Sequence, residues 1–161
     1  MKIAKRFRWE AAHRLPWHEG ICRNLHGHSY RMVVELEGEP DARGMVLDFK
    51  HLKEALKPLV ESWDHAILAA DSDAELLEVI RQTSWKHVVL PFDTTAENLS
   101  TYVADYLCEN AGAMLRAHRV HLVRVRLEET ETCYAEAERA IAPDAFGNGE
   151  ALMLAAGNVN S

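Results

Sequence analysis

Hydrophobic and polar residues alternate along two segments near the start of the chain and two near its end. Residues 3–13 and 26–38 place apolar or aromatic side chains on every second position, and residues 119–129 and 132–139 repeat the pattern. A period of two residues is typical of strands that bury one face and expose the other. These segments predict four antiparallel strands, arranged as two pairs.

Between the strand pairs, apolar residues recur at helical spacing instead. Asp48 is a typical N-cap residue, and the apolar positions of residues 49–63 predict a helix behind it. Pro58 falls inside this pattern, and we expect it to kink or interrupt the helix because proline donates no backbone hydrogen bond.

Two shorter signals and a long one follow. Residues 73–82 predict a short helix, and residues 85–92 a short extended piece. Thr94 with Glu97 forms a capping-box pattern ahead of an amphipathic helix that runs past Leu107.

The resulting order, ββ-αα-ββ, predicts an α+β fold with a four-stranded antiparallel sheet and helices on one face. Such a sheet leaves open edge strands, which need a partner or a cover. Residues 1–140 form the predicted domain. Residues 141–161 contain proline, glycines and alanines, and predict a loosely attached C-terminal extension with a short helix at 150–156.

Composition narrows the class of protein. The chain has 161 residues, 48% apolar and 27% charged, as expected for one globular domain. Its 18 basic and 25 acidic residues give a net charge of −7, which argues against nucleic-acid or membrane partners bound through bulk charge. No apolar run spans a bilayer, and the first residues lack the apolar core of a signal peptide, so we expect a cytoplasmic protein.

Nine histidines are many for this length, and the strand pattern places three of them together. His26 and His28 share a strand face, and His13 ends the preceding strand. If the two strands pair antiparallel, the three imidazoles converge at one end of the sheet. Three neutral histidines with an open fourth position are the ligand set of a catalytic Zn²⁺ site. The alternative is a surface pair beside an unrelated strand-end histidine.

Cys22 lies in the loop just before His26. A thiol beside a metal is exposed to a field that favours the thiolate, which attacks a substrate or takes a proton. Two other interpretations stay open at this point, a fourth zinc ligand and an incidental loop cysteine.

Two carboxylates also occupy suggestive positions. Asp64 directly precedes His65 after the first long helix, and a carboxylate orients an imidazole in many proton-transfer sites, although such pairs are also common on surfaces. Glu129 ends an apolar strand face, either as part of a site or as a residue that has left the sheet.

Six short motifs, in order, resemble the family of 6-pyruvoyl-tetrahydropterin and 6-carboxy-tetrahydropterin synthases. The motifs are F-x-W-E-A-A-H-R-L at 7–15, C-R-N-L-H-G-H-S-Y at 22–30, G-M-V-L-D-F-K-H-L-K at 44–53, W-D-H-A-I-L at 63–68, T-A-E-N-L at 95–99 and E-T-E-T-C-Y-A-E at 129–136. They span roughly residues 3–137. The resemblance implies the tunnelling fold (T-fold), in which subunit sheets join edge to edge into a trimeric β-barrel. It also implies a homo-oligomer, a trimer or hexamer, with active sites between subunits.

The resemblance further implies roles for the residues that match the family's motifs. Zinc would be held by three histidines, His13, His26 and His28. Cys22 would be the acid/base thiol, with Asp64 and His65 completing a proton relay. Glu129 would anchor the guanidine-like edge of a pterin substrate, and Thr130 would contribute its backbone.

The spacing of the cysteine motif selects a reaction within the family. Three residues separate Cys22 from His26, as in the bacterial queuosine-pathway enzymes. This implies conversion of 7,8-dihydroneopterin triphosphate to 6-carboxy-5,6,7,8-tetrahydropterin, acetaldehyde and triphosphate. Alternatives are a 6-pyruvoyl-tetrahydropterin synthase and a non-catalytic pterin-binding homologue. A cysteine hydrolase would leave the three histidines unexplained.

Candidates for binding the triphosphate are the basic residues Arg14, Arg23 and Lys50.

Overall fold

The computed structural model describes residues 1–142 as one sheet covered by helices. The strands are β1 (Lys2–His13), β2 (His26–Gly38), β3 (Ala66–Ala70), β4 (His87–Leu90), β5 (Val120–Glu128) and β6 (Tyr134–Ala140). The helices are α1 (Phe49–Trp63), α2 (Ala74–Thr83) and α3 (Ala96–Ala117), with a turn of 3-10 helix at Ile21–Arg23. The helix predicted at 150–156, like most of the predicted extension, lies outside the described residues.

The sheet has six strands, in the order β4-β3-β1-β2-β5-β6, rather than the four predicted. The four alternating segments form the antiparallel strands β1, β2, β5 and β6, as predicted. The additional strands β3 and β4 run parallel to β1, so the sheet is mixed.

The prediction missed β3 because this strand does not alternate. All five residues of Ala66–Ala70 are buried, since the strand is covered on both faces. A strand covered on both faces reads as a short continuous apolar run, which periodicity alone does not separate from a helix. The neighbouring β4 falls within the extended piece predicted for residues 85–92.

The first helix continues through Pro58, so the predicted interruption is wrong. Pro58 lies on the exposed side of α1, so its ring meets solvent rather than the packed sheet. The opposite side buries Leu52, Leu56, Leu59 and Trp63 against the sheet. Because each buried leucine contributes on the order of 2 kcal/mol, this face outweighs one lost hydrogen bond.

Of the two predicted helix caps, one is confirmed and one differs. Asp48 accepts a hydrogen bond from the Lys50 amide at 2.8 Å, as an N-cap does, and α2 forms at the predicted place. The N-cap of α3, however, is Thr95, whose hydroxyl accepts from the Asn98 amide. Thr94 was predicted for this position and is instead fully buried, with consequences for the site described below.

The prediction that all helices lie on one face of the sheet is wrong, because helices cover both faces. The main core packs α1 and α3 on the inner face of β1, β2 and β5, around Trp9, Tyr30 and Trp63. A separate small cluster joins Leu76 and Ile80 of α2 to Ile67 and Ala69 of β3. Since Leu68, between those two residues, belongs to the main core, α2 covers the opposite face of β3.

The pairing of β1 with β2 positions the predicted site. The strands are antiparallel over their full length, from Lys2 opposite Glu37 to His13 opposite His26. This register brings the two strand-end histidines side by side at one end of the sheet. None of the helices of residues 1–142 is long and apolar enough to cross a membrane.

An ion pair fixes the chain directly after His13. Arg14 donates two hydrogen bonds to the Asp73 carboxylate, from Nε at 2.7 Å and from Nη2 at 2.6 Å, and Nη2 also reaches Glu75 at 2.8 Å. Asp73 is buried and caps α2 by accepting from the Leu76 amide. The pair therefore ties the end of β1 to the start of α2.

We predict that Asp73→Asn, which keeps a capping oxygen but loses the charge, lowers the free energy of unfolding by about 2 kcal/mol at pH 7. Arg14 holds the pKa of Asp73 below its ordinary value of 3.8. The contribution of the ion pair is therefore complete above that value and is lost as the pH falls through the folded-state pKa. Urea denaturation from pH 7 to 3 measures this, and the wild type and variant should converge in acid.

Glu75→Gln is the matched control, because Glu75 contacts the same arginine but its side chain is 80% exposed. It should cost less than about 0.5 kcal/mol. Equal losses for the two variants would show that Asp73 does not carry the ion pair's stability.

Candidate functional site

Three imidazoles converge at the end of the β1–β2 pair, as the sequence predicted. The centroid distances are 4.7 Å for His13–His26, 5.1 Å for His13–His28 and 4.8 Å for His26–His28. One ring nitrogen from each residue lies within 4.8 Å of those of the other two. His13 is buried, whereas His26 and His28 are half-buried, so the site is closed by the protein on one side and open on the other.

Backbone carbonyls set the tautomers of two of these imidazoles. The Nδ1 atom of His13 lies 2.8 Å from the Thr94 carbonyl oxygen, and Nδ1 of His26 lies 2.7 Å from the Asn24 carbonyl oxygen. An imidazole that donates from Nδ1 to a carbonyl keeps its lone pair on Nε2. This is the usual arrangement behind a metal-binding histidine.

The electrostatics also favour neutral imidazoles. Burial lowers the pKa of His13 from 6.5 to about 4. Burial, followed by the nearby His26, lowers the pKa of His28 as well. Both rings are therefore neutral near pH 7, which is the form that binds a metal ion.

A metal ion fits this donor set. Within the described part of the chain, the buried Nε2 atom of His13 has no hydrogen-bond partner, although a buried nitrogen without a partner is costly. Three imidazole nitrogens facing an open fourth position suit Zn²⁺ in a catalytic rather than a structural role.

Glu129 lies beside the three histidines, directly after β5. Its Oε1 is 3.9 Å from Nε2 of His13 and is buried without a hydrogen-bond partner in the described residues. Burial raises the pKa of this carboxyl, and the nearby Glu97 raises it further. The buried hydroxyl of Tyr30 faces the same carboxyl. Glu129 thus presents one buried oxygen without a hydrogen-bond donor beside the three histidines. The neighbouring Thr130 is exposed, and its hydroxyl lies 3.3 Å from that of Thr132.

Cys22 lies in the 3-10 turn of the loop that ends at His26. Its carbonyl accepts a hydrogen bond from the Leu15 amide at 2.9 Å, which fastens the loop across its own base. The thiol is half-exposed, forms no disulfide, and is not part of the group of ligand atoms around the histidines.

Asp64 and His65 form the predicted pair, at the junction of α1 and β3. Nδ1 of His65 lies 3.0 Å from Oδ1 of Asp64, and that same oxygen accepts from the Glu10 amide at 3.0 Å. The Glu10 amide, followed by His65, holds the pKa of the Asp64 carboxyl below its ordinary value. Among the described residues, no hydrogen bond or ion pair joins this pair to Cys22.

One of the three basic candidates for binding triphosphate is already engaged in another ion pair. Arg14 is held by Asp73 and Glu75. Lys50 lies on the exposed first turn of α1, 3.7 Å from Glu54. Arg23 is exposed in the same turn as Cys22, and remains available on geometric grounds.

Sequence reasoning missed Thr94 as part of the site. Its carbonyl orients His13, and its hydroxyl lies 3.3 Å from the same Nδ1 atom. The residue was interpreted as a helix cap because a threonine three positions before an acidic residue matches a capping box. A backbone carbonyl has no signature in sequence, so only the fold reveals this contact.

The fold and the site define an α+β protein with a candidate three-histidine metal centre at the end of a mostly antiparallel sheet. A family model described as 6-pyruvoyl tetrahydropterin synthase matches residues 2–140. The chain belongs to this family.

Individual relatives agree with this assignment. A putative 6-carboxy-5,6,7,8-tetrahydropterin synthase from Pyrococcus abyssi is 33% identical over 135 residues, covering 78% of this chain and 82% of the relative. The 6-carboxy-5,6,7,8-tetrahydropterin synthase of Haemophilus influenzae is 31% identical over 143 residues, covering 84% and 96%. In structure, a 6-pyruvoyltetrahydropterin synthase from Plasmodium vivax superposes with a TM-score of 0.72 at 19% identity, covering 88% and 98%. This likeness shows the T-fold.

We predict that the metal-free protein binds one Zn²⁺ per chain and melts at a higher temperature with zinc. His13→Ala should weaken zinc binding more than about a hundredfold, since even residues behind a ligand change affinity by 10–100-fold. Competition with a chelator and metal analysis after dialysis measure both effects.

His121→Ala is the control, because this exposed histidine lies at the opposite end of β5 from the site. It should bind zinc like the wild type. Wild-type protein that takes up no zinc, or His13→Ala protein that takes it up unchanged, would contradict the assignment of the site.

Proposed function

We propose that this chain is a zinc-dependent 6-carboxy-5,6,7,8-tetrahydropterin synthase, a lyase that acts on 7,8-dihydroneopterin triphosphate in queuosine biosynthesis. The observation that carries the proposal is the site itself, three imidazoles with ring nitrogens within 4.8 Å of one another beside Glu129, whose buried Oε1 has no hydrogen-bond partner among the described residues. The names of the Pyrococcus and Haemophilus relatives support this reaction.

The reaction takes up water, breaks a carbon–carbon bond of the substrate side chain and releases acetaldehyde and triphosphate. The carbon that stays on the ring becomes the carboxylate, and its oxidation is balanced by reduction of the dihydropterin ring and of the released two-carbon fragment. Proton transfers at the side-chain carbons are therefore the main task of the protein groups.

In this proposal His13, His26 and His28 hold the zinc ion. Bound there, zinc supplies Lewis acidity toward the side-chain oxygens of the substrate. The open side of the cluster, toward His26 and His28, leaves room for those oxygens to approach.

The remaining roles belong to protein side chains. The Cys22 thiol exchanges protons with the substrate side chain, and Asp64 orients His65 as the second proton carrier. Glu129 accepts two hydrogen bonds from the guanidine-like edge of the pterin, with the Thr130 backbone beside it. Binding of this edge would satisfy the Glu129 oxygen that has no partner in the free protein.

Open strand edges support a homo-oligomer. On the side of β1 that faces β3, the register covers only Ala11 and Ala12, so residues 2–9 carry an exposed edge. The outer edge of β6 has no partner strand among the described residues. Because open edges invite pairing, we propose that β6 of one subunit pairs with β1 of the next in a trimeric barrel. In this proposal the active sites lie between subunits.

The second candidate function is a 6-pyruvoyl-tetrahydropterin synthase, which eliminates triphosphate without losing two carbons. It is favoured by the description of the matching family. The three-residue spacing between Cys22 and His26 favours the carboxy-forming reaction instead. A non-catalytic pterin-binding protein would have no use for the Asp64–His65 pair.

We predict that zinc-loaded protein converts dihydroneopterin triphosphate to the carboxylated pterin with one acetaldehyde released per substrate consumed. An alcohol dehydrogenase coupled assay detects acetaldehyde, and mass spectrometry identifies the pterin. Triphosphate release without acetaldehyde would favour the pyruvoyl reaction, and pterin binding without consumption of substrate would overturn the catalytic proposal.

We predict that Cys22→Ala keeps its zinc but loses at least about a hundredfold in kcat, the usual contribution of a positioned acid or base. Cys108→Ala is the matched control, because Cys108 is a half-buried free cysteine of α3 whose charged neighbours are Asp105 and Arg139, and the change should leave kcat unchanged. Loss of zinc from the Cys22→Ala protein would identify the thiol as a metal ligand and refute its role in proton transfer.

A further inference from the structure

An open groove of about 540 Å³ runs beside the metal centre, on the side of β1 that carries β3. Its lining includes Glu10, His28, His65, Trp85 and Lys86. Lys86 comes from the link between α2 and β4, and no role has so far been given to it. Its side chain connects this link to the Asp64–His65 pair by a hydrogen bond to the Asp64 carbonyl.

The Lys86 ammonium binds two carbonyls at the end of α1. Nζ donates to the Glu61 carbonyl at 2.9 Å and to the Asp64 carbonyl at 2.5 Å. The last carbonyls of a helix have no partner within the helix and carry partial negative charge, so a lysine there is well placed. The Lys86 carbonyl also accepts from the Ile67 amide at 2.9 Å, which fixes the backbone of Lys86 against β3.

The peptide group between Asp64 and His65 is therefore held at both ends. Its carbonyl is bound by Lys86, and its N–H donates to the Glu10 carbonyl at 2.6 Å. Because a peptide group is planar, partners at its two ends fix its orientation.

The backbone conformation of His65 that goes with this orientation is an unfavourable one. His65 has φ of +56°, in the left-handed region that residues other than glycine avoid. From this conformation the largely exposed imidazole faces the groove while Nδ1 stays 3.0 Å from Asp64. Contacts that hold the peptide thus also hold the imidazole.

We propose that Lys86 is a positioning residue, which holds the Asp64–His65 peptide so that His65 presents its imidazole to the groove. The inference rests on the proposed function of His65 as a proton carrier. It assigns a purpose to the segment of residues 71–90, because α2 and β4 deliver this lysine. The competing role for Lys86 is direct binding of the substrate's triphosphate, which would act on KM rather than on kcat.

Lys86→Met tests the proposal, and Lys57→Met is the matched control. Lys57 lies on α1, the helix whose last carbonyls Lys86 binds. Its Nζ is 3.6 Å from the Glu61 carboxylate, but it does not contact the Asp64 carbonyl. In Lys86→Met we expect amide hydrogen exchange at His65 to become about tenfold faster and kcat to fall about fivefold at unchanged KM. Lys86→Arg, which keeps a cationic donor, should restore most of both, and Lys57→Met should change neither.

Each outcome decides the question. Unchanged exchange at His65 in Lys86→Met, or a raised KM at unchanged kcat, would overturn the positioning role, the latter in favour of triphosphate binding. If Lys86→Met does not fold cooperatively, Lys86→Gln gives the same comparison with a neutral donor. If the wild type turns over no pterin, the proposed function fails, but the exchange measurement still decides whether Lys86 holds His65.

Discussion

The register of the antiparallel pair β1–β2 is the constraint on which the candidate site depends. His13 stands opposite His26, and Ala11 stands opposite His28, so all three imidazoles occupy one face at one end of the sheet. A slip by one residue would turn His26 and His28 away from His13, because side chains alternate between faces. The buried stack of Trp9 on Tyr30, with ring centroids 5.4 Å apart, resists such a slip, since it would expose large aromatic surfaces.

The surroundings then decide what these imidazoles can do. Burial keeps His13 neutral, and the Thr94 carbonyl directs its Nε2 toward the other two rings. The same burial leaves Nε2 of His13 and Oε1 of Glu129 without hydrogen-bond partners in the described chain. Such atoms cost stability, and they are concentrated where a metal ion and a polar substrate would satisfy them. The net charge of −7 makes this local arrangement more important, because the proposed triphosphate substrate would have to overcome an unfavourable overall field.

Much of the fold and the centre of the site could be predicted from the sequence, for a physical reason. Strands with one buried face impose alternation, so the four antiparallel strands and the shared face of His26 and His28 were visible. The strands β3 and β4 were harder to predict because a strand covered on both faces does not alternate. The contacts of Thr94 and Lys86 could not be predicted because each involves a backbone carbonyl, which every residue carries. Thr94 offers its own carbonyl to His13, and the Lys86 side chain binds the carbonyl of Asp64. The side of the sheet covered by α2 likewise depends on β3, which the periodicity does not show.

The account rests on zinc bound by three imidazoles and by no sulfur. X-ray absorption at the zinc edge of the zinc-loaded, substrate-free protein tests this most directly, because it reports the ligand atoms themselves. The account predicts a four-coordinate ion with nitrogen and oxygen neighbours at about 2.0–2.1 Å and multiple scattering from three imidazole rings. A sulfur neighbour at about 2.3 Å would contradict it, because Cys22 would then be a ligand rather than a free thiol beside the metal.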